Sequence, residues 1–241
     1  MHRCLVASVA VFALGVGAAS AADLGRPAAA PVYAKAPPLD VPFSWTGFYV
    51  GGHVGWAGID DSQALSSPTF ALTVPNSPSG LIGGGHAGYN WQINQWVLGV
   101  ETDFDGTSIN STYGIGAPFV DTTGTERLDW QGSLRGRAGV AFDKALFYGT
   151  GGWAYGHFTD SYDTAGPTFH QSVSSNRDGW TVGAGIEYAF LPNFTGRVEY
   201  RHTDWGTHTN NLNVFLAPPG VSNDRVTENQ VTLGLSYKFG R

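Results

Sequence analysis

The sequence predicts an all-β fold: an eight-stranded antiparallel transmembrane β-barrel with short periplasmic turns and four long extracellular loops. Three observations predict it. From Thr46 onward glycine and aromatic residues recur in segments whose side chains alternate with period two, and no window has helical periodicity. The connections between segments are alternately short and long, and one face of each segment is apolar while the other carries mixed charge.

The chain begins with a basic start (His2, Arg3), an apolar run from Leu5 to Val16 and the small-residue site Ala19-Ser20-Ala21. This is the pattern of a secretory signal over residues 1–21, cleaved after Ala21; the apolar run is well short of the ~20 residues a membrane-spanning helix needs. Cys4 precedes the apolar core, where no lipoprotein cysteine would be, and it leaves with the signal, so the mature chain has no thiol. Residues 22–45 contain Pro27, Pro31, Pro37, Pro38 and Pro42 among alanines and read as an extended periplasmic tether. The barrel is expected over 46–239, followed by a short extension, 240–241.

The expected strands are 46–56, 81–92, 95–106, 125–142, 145–158, 179–190, 194–205 and 226–239. Short connections fall at 93–94, 143–144 and 191–193; long ones at 57–80, 107–124, 159–178 and 206–225. In 95–106 one face reads Trp96, Leu98, Val100, Phe104 and the other Val97, Gly99, Glu101, Asp103, Asp105. In 125–142, Leu128, Trp130, Leu134, Ala138 and Val140 oppose Arg127, Asp129, Gln131, Ser133, Arg135 and Arg137. A soluble barrel would turn its apolar face inward, but it must then wet its outside with lysine and glutamate. Here the polar face is rich in glycine, serine and threonine with both signs of charge, which suits a packed interior. The apolar face carries aromatics near its ends (Phe48, Trp56, Tyr89, Trp91, Trp96, Trp180, Phe190), as interfacial girdles require.

Hairpin geometry then predicts register. Gln92 facing Gln95 would place His86 opposite Glu101; Phe190 facing Phe194 places Glu187 opposite Arg197; Phe142 facing Ala145 turns Phe147, Trp153 and Tyr155 out and Tyr148, Thr150 and Ala154 in.

Composition excludes several classes. With 42% apolar and 13% aromatic residues the chain has ample surface to bury, so it is not disordered, and one cysteine supports no disulfide framework. A net charge of −6 and the absence of a basic patch argue against nucleic acid. Eight strands enclose only enough space for side chains to fill. The inward charges, Glu101, Asp103, Asp129, Glu187, Glu199 and Glu228 with Arg127, Arg135, Arg137, Arg197, Arg201 and Lys238, therefore read as a paired structural network, with a narrow ion path as the alternative. His157 and His202 lie near the outer strand ends, where a lipid-modifying hydrolase could place a histidine, but neither lies in a recognisable Ser/His/carboxylate motif, so no enzyme is expected. His53, His86 and Glu101 could neighbour one another inside; a hydrogen-bonded cluster is the simpler reading than a metal or haem site, and no cofactor is expected. The polar loop segments Asn76–Gly80, Asp160–Thr164 and Asn210–Asn213 could cap the barrel or meet a cell-surface ligand.

The run from Phe43 to Trp56 (FSWTGFYVGGHVGW), after an Ala/Pro leader that opens Ala22-Asp23-Leu24, resembles the small outer-membrane β-barrel family typical of alphaproteobacteria, the porin-family or outer-membrane-protein-A-like barrels. Gly151–Gly156, Tyr200-Arg201 and Leu235–Phe239 extend the resemblance over the whole mature chain. It implies an outer-membrane location among lipid and lipopolysaccharide, and insertion by machinery that reads Tyr237 and Phe239; the chain departs from the usual form in that Gly240 and Arg241 follow.

Overall fold

The computed structural model describes residues 43–67, 70–117, 120–164, 170–212 and 220–240. The expected signal with its Ala19–Ala21 site, the tether as far as residue 42, and Arg241 lie outside the described residues. The described residues form ten strands: β1 (Gly47–Ser67), β2 (Phe70–Asn76), β3 (Ser79–Ile93), β4 (Trp96–Thr107), β5 (Asn110–Ala117), β6 (Val120–Phe142), β7 (Ala145–Thr164), β8 (His170–Ala189), β9 (Phe194–Leu212) and β10 (Gly220–Lys238). Eight of them, all but β2 and β5, are the staves of an antiparallel barrel in sequence order. β1 pairs with β10 from Tyr49 opposite Lys238 to Ser66 opposite Val221, which closes the wall and leaves no sheet edge in that span. β2 and β5 are added at the loop end only, β2 against β1 and β5 against β6.

Alternation governs the wall as expected. Leu98, Val100, Phe104, Leu134, Trp153, Val182, Ile186, Leu233 and Leu235 are exposed on the outer face, and their sequence neighbours point in. Both borders of this apolar belt are aromatic: Phe48, Trp91, Trp96, Tyr188 and Phe190 towards the short turns, Trp56, Trp153, Trp180 and Tyr200 towards the loops. Phe142 pairs with Ala145 and Glu187 with Arg197, as hairpin geometry predicts.

Three differences have local causes. The first turn is Asn94-Gln95, so Ile93 pairs with Trp96 and His86 lies opposite Asp103 instead of Glu101. Asn94 has φ of 56°, and the matching turn residue Asp143 has φ of 52°. Hairpin turns of two residues need a left-handed first position, which asparagine and aspartate tolerate best, so Asn94 takes it and moves the ladder by two residues, preserving the faces. Second, much of the four long connections is strand, since β1, β7 and β9 run on to Ser67, Thr164 and Leu212. Their serine, threonine, valine and tyrosine content fits a pleated ladder however polar the side chains are.

Third, the ladder between β6 and β7 shifts between Leu128 and Trp130, a bulge at Asp129. One extra residue turns every side chain beyond it to the other face. Leu128, expected outside, is therefore buried inside, while Arg127, expected in the lumen, is 61% exposed and pairs with Asp129 on the surface. Those two residues are not members of the lumen charge network.

Candidate functional site

The inward side chains form three layers along the barrel axis. At the short-turn end, Trp45, Val97, Ala141, Leu146, Tyr148 and Ala189 make an apolar plug with Phe43 packed against it. Trp45 precedes β1 and is only 1% exposed. Its backbone N–H donates to Gln92 Oε1 (2.7 Å) and its indole N–H to the Asp143 carbonyl (3.2 Å), so the turn that orders Asp143 also receives the ring. At the loop end Ala57, Ile59, Ile82, Ile109, Leu128, Ala154, Phe158, Trp205 and Val226 make a second plug, with Phe158 edge-on to Trp205. The bulge at Asp129 is what delivers Leu128 to it.

Between the plugs lies the ionic layer. Arg135 is its hub: one terminal nitrogen is 2.6 Å from Glu101 and 2.9 Å from Asp103, the other 2.5 Å from Glu199, and it also reaches Thr150 (3.2 Å). Arg197 meets the second oxygen of Glu101 at 2.5 Å, and Arg201 bridges Asp103 (3.0 Å) and Asp105 (3.1 Å). Arg137 pairs with Glu187 and lies 3.7 Å from the ring centre of Tyr148, a cation–π contact. Hydroxyls fill remaining acceptor sites: Tyr49 donates to Glu101 (2.8 Å), Tyr148 to Glu199 (2.8 Å), Ser133 to Asp103 (2.6 Å) and Thr195 to Glu187 (2.5 Å). Glu228 is held by Gln131 (3.0 Å) and the indole of Trp205 (3.3 Å). Lys238 stands apart at the short-turn mouth, over the ring of Phe43. The arginines of this layer and the acids Glu101, Asp103, Glu187 and Glu199 are tolerated this deep because each has a partner of opposite sign.

His53 and His86 do come together, with their Nδ1 atoms 3.2 Å apart, but Glu101 is drawn off to the arginines. His53 Nε2 instead meets Asp105 Oδ1 (2.7 Å) and His86 Nε2 meets Ser236 Oγ (2.8 Å). Each ring nitrogen is thus committed to a protein partner, and no group of three or more His, Cys, Asp or Glu side chains suited to a metal ion occurs among the described residues. His157 and His202 project from the outer face and bond Asn176 and Asn229. Asp105 is not among the expected inward acids, although it follows the same alternation as Glu101 and Asp103; Tyr148 is inward as the Phe142–Ala145 pairing predicts. Trp45 had no such signal, because it lies outside any strand.

The interstice bordered by Gln131, Ser133, Ala154, Thr181, Arg201 and Thr203 leaves no room for a water molecule. A closed antiparallel barrel with an apolar outer belt, aromatic borders and a charged, filled interior is an integral membrane protein of the outer-membrane type. The chain belongs to the outer membrane protein beta-barrel domain family, whose model matches residues 8–239. It is 34% identical over 249 residues to the 31 kDa outer-membrane immunogenic protein of Brucella melitensis, covering 99% of this chain and 100% of that one. It is 36% identical over 241 residues to the 22 kDa outer membrane protein of Rhizobium leguminosarum, covering 98% and 100%. Among solved structures, the outer membrane protease OmpT of Escherichia coli aligns with a TM-score of 0.50 at 11% identity, over 83% of this chain and 99% of that one, a likeness of fold alone. The protein is located in the outer membrane.

Proposed function

We propose that this protein is a closed structural barrel of the outer membrane that contributes to envelope integrity, with its four loop-end hairpins facing outside and both termini in the periplasm. The observation that carries this reading is the three-layer lumen. Two apolar plugs, one around Trp45 and one around Trp205, enclose an ionic layer whose arginines are each held by carboxylates, so an ion entering from either side would meet desolvation first and occupied partners next. The Brucella relatives are named outer-membrane immunogenic proteins, which fits hairpins exposed at the cell surface. Tyr237 and Phe239, both lipid-facing at the short-turn end, are suitably placed for the insertion machinery to read.

Planar-bilayer recording of the refolded full-length protein tests the reading. No steady conductance is expected across the accessible voltage range. Long-lived openings of uniform size would establish a channel instead and refute the closed lumen.

A further inference from the structure

On the outer face, where the lipid belt ends towards the loops, two arrangements repeat. On β6, β7 and β8, His157 stacks on Trp130 (ring centres 5.7 Å apart, planes within 6°) and its Nδ1 is 2.7 Å from Oδ1 of Asn176. On β8, β9 and β10, His202 lies beside Trp180 (5.8 Å) and its Nδ1 is 2.9 Å from Oδ1 of Asn229, which also accepts from the Tyr200 hydroxyl (2.7 Å). One step nearer the turns, Trp153, Val182, Tyr200 and Val231 are all exposed to lipid, so both imidazoles stand where headgroups begin.

An amide oxygen can only accept a hydrogen bond, so each Nδ1 carries a ring hydrogen, and the neutral form of such a ring presents a lone pair at Nε2. Among the described residues neither Nε2 has a hydrogen-bond partner. Fixing one ring nitrogen with a second protein group is how proteins aim the other at a ligand. Charge narrows the ligand. The arginines of the described loop end are all matched with carboxylates: Arg127 with Asp129 (3.3 Å), Arg177 with Glu126 (3.6 Å) and Arg225 with Asp204 (3.1 Å). The described lysines, Lys144 and Lys238, belong to the opposite end. A phosphate would find no uncommitted cation there, whereas an Nε2 acceptor beside an amide N–H donor suits a hydroxyl, which both donates and accepts.

We propose that the His157–Asn176 and His202–Asn229 pairs bind sugar hydroxyls of a neutral glycolipid headgroup at the loop-side membrane interface. This requires only that the barrel spans the membrane, and it stands or falls independently of whether the lumen conducts.

The test uses the full-length protein in phosphatidylcholine nanodiscs doped with either monogalactosyl diacylglycerol or phosphatidic acid. Lipid retention is read by native mass spectrometry and the two Nε2 resonances by nitrogen-15 NMR. The galactolipid should be retained and should shift both Nε2 signals, and the His157→Ala/His202→Ala variant should retain about tenfold less, as expected for losing one or two hydrogen bonds. Asn176→Leu and Asn229→Leu, which free Nδ1 but keep the rings, should weaken retention at one site each. Equal retention by wild type and double variant, preference for phosphatidic acid, or unmoved Nε2 signals would overturn the proposal. Heat-dependent gel migration reports folding of each variant, and should the double variant not fold, the wild-type Nε2 shifts decide alone.

Discussion

Replacing Arg135 with methionine tests the ionic layer at its hub. The side chain is 1% exposed and holds Glu101, Asp103 and Glu199 at 2.6, 2.9 and 2.5 Å. The three carboxylates lose unequally. Glu101 keeps Arg197 at 2.5 Å and Asp103 keeps Arg201 at 3.0 Å, but Glu199 is left with the Tyr148 hydroxyl as its remaining close partner. Removing one member of a buried ion pair strands the other and typically costs about 3–5 kcal/mol, and Glu199 should account for most of that loss. Adding Glu199→Gln to Arg135→Met should therefore recover at least about 1 kcal/mol, although Glu199→Gln alone destabilises. Urea titration of protein folded into lipid vesicles, followed by heat-dependent gel migration, measures all four corners of the cycle. An Arg135→Met protein as stable as wild type, or no recovery in the double variant, would refute the view that the hub neutralises Glu199.

The plug at the short-turn end predicts that Trp45→Ala lowers stability by about 3 kcal/mol, as for other large aromatic truncations in a core, and the same titration measures it. A loss under about 0.5 kcal/mol would mean that the ring does not plug the mouth in the membrane. A pair of glycines makes a finer comparison. A Cβ on Gly152 would collide with the Leu134 carbonyl oxygen and fall 2.7 Å from Arg135 Cα, whereas at Gly136 the nearest atom is 3.7 Å away. Gly152→Ala should cost about 1–3 kcal/mol by forcing the β6–β7 backbones apart, and Gly136→Ala should stay within about 0.5 kcal/mol. Equal stabilities would contradict the close β6–β7 contact.

The parts of this molecule that repeat were legible in the sequence, and the parts that break a repeat were not. Period-two alternation placed the faces of Leu98, Glu101, Arg135 and Glu187 correctly, because a membrane-facing strand leaves no choice about which side is apolar, and the Phe142–Ala145 hairpin pairing placed Tyr148 and Trp153. Register depended on which residue could adopt a left-handed turn, and Asn94 decided that with a two-residue shift that alternation alone cannot detect. The Asp129 bulge defeated alternation outright: one inserted residue exchanged Arg127 for Leu128. Trp45 was hidden for another reason, since it enters the lumen from a segment with no periodicity at all. Strands run on into the four long connections further than polarity suggests, because pairing responds to β-propensity and not to side-chain polarity.

The ion pairs of the lumen also constrain the order of assembly. Glu101 and Asp103 are on β4, and their partners Arg197 and Arg201 are on β9, some 96 and 98 residues further along the chain. These are cross-braces between distant staves of the wall, so they cannot form while the sheet is open. An unfinished barrel would hold Arg197 and Arg201 away from those two acids, an expensive state that vanishes when β1 meets β10. Closure is thereby made cooperative and late, and the same residues that block the finished lumen select against a partly zipped intermediate persisting in the membrane.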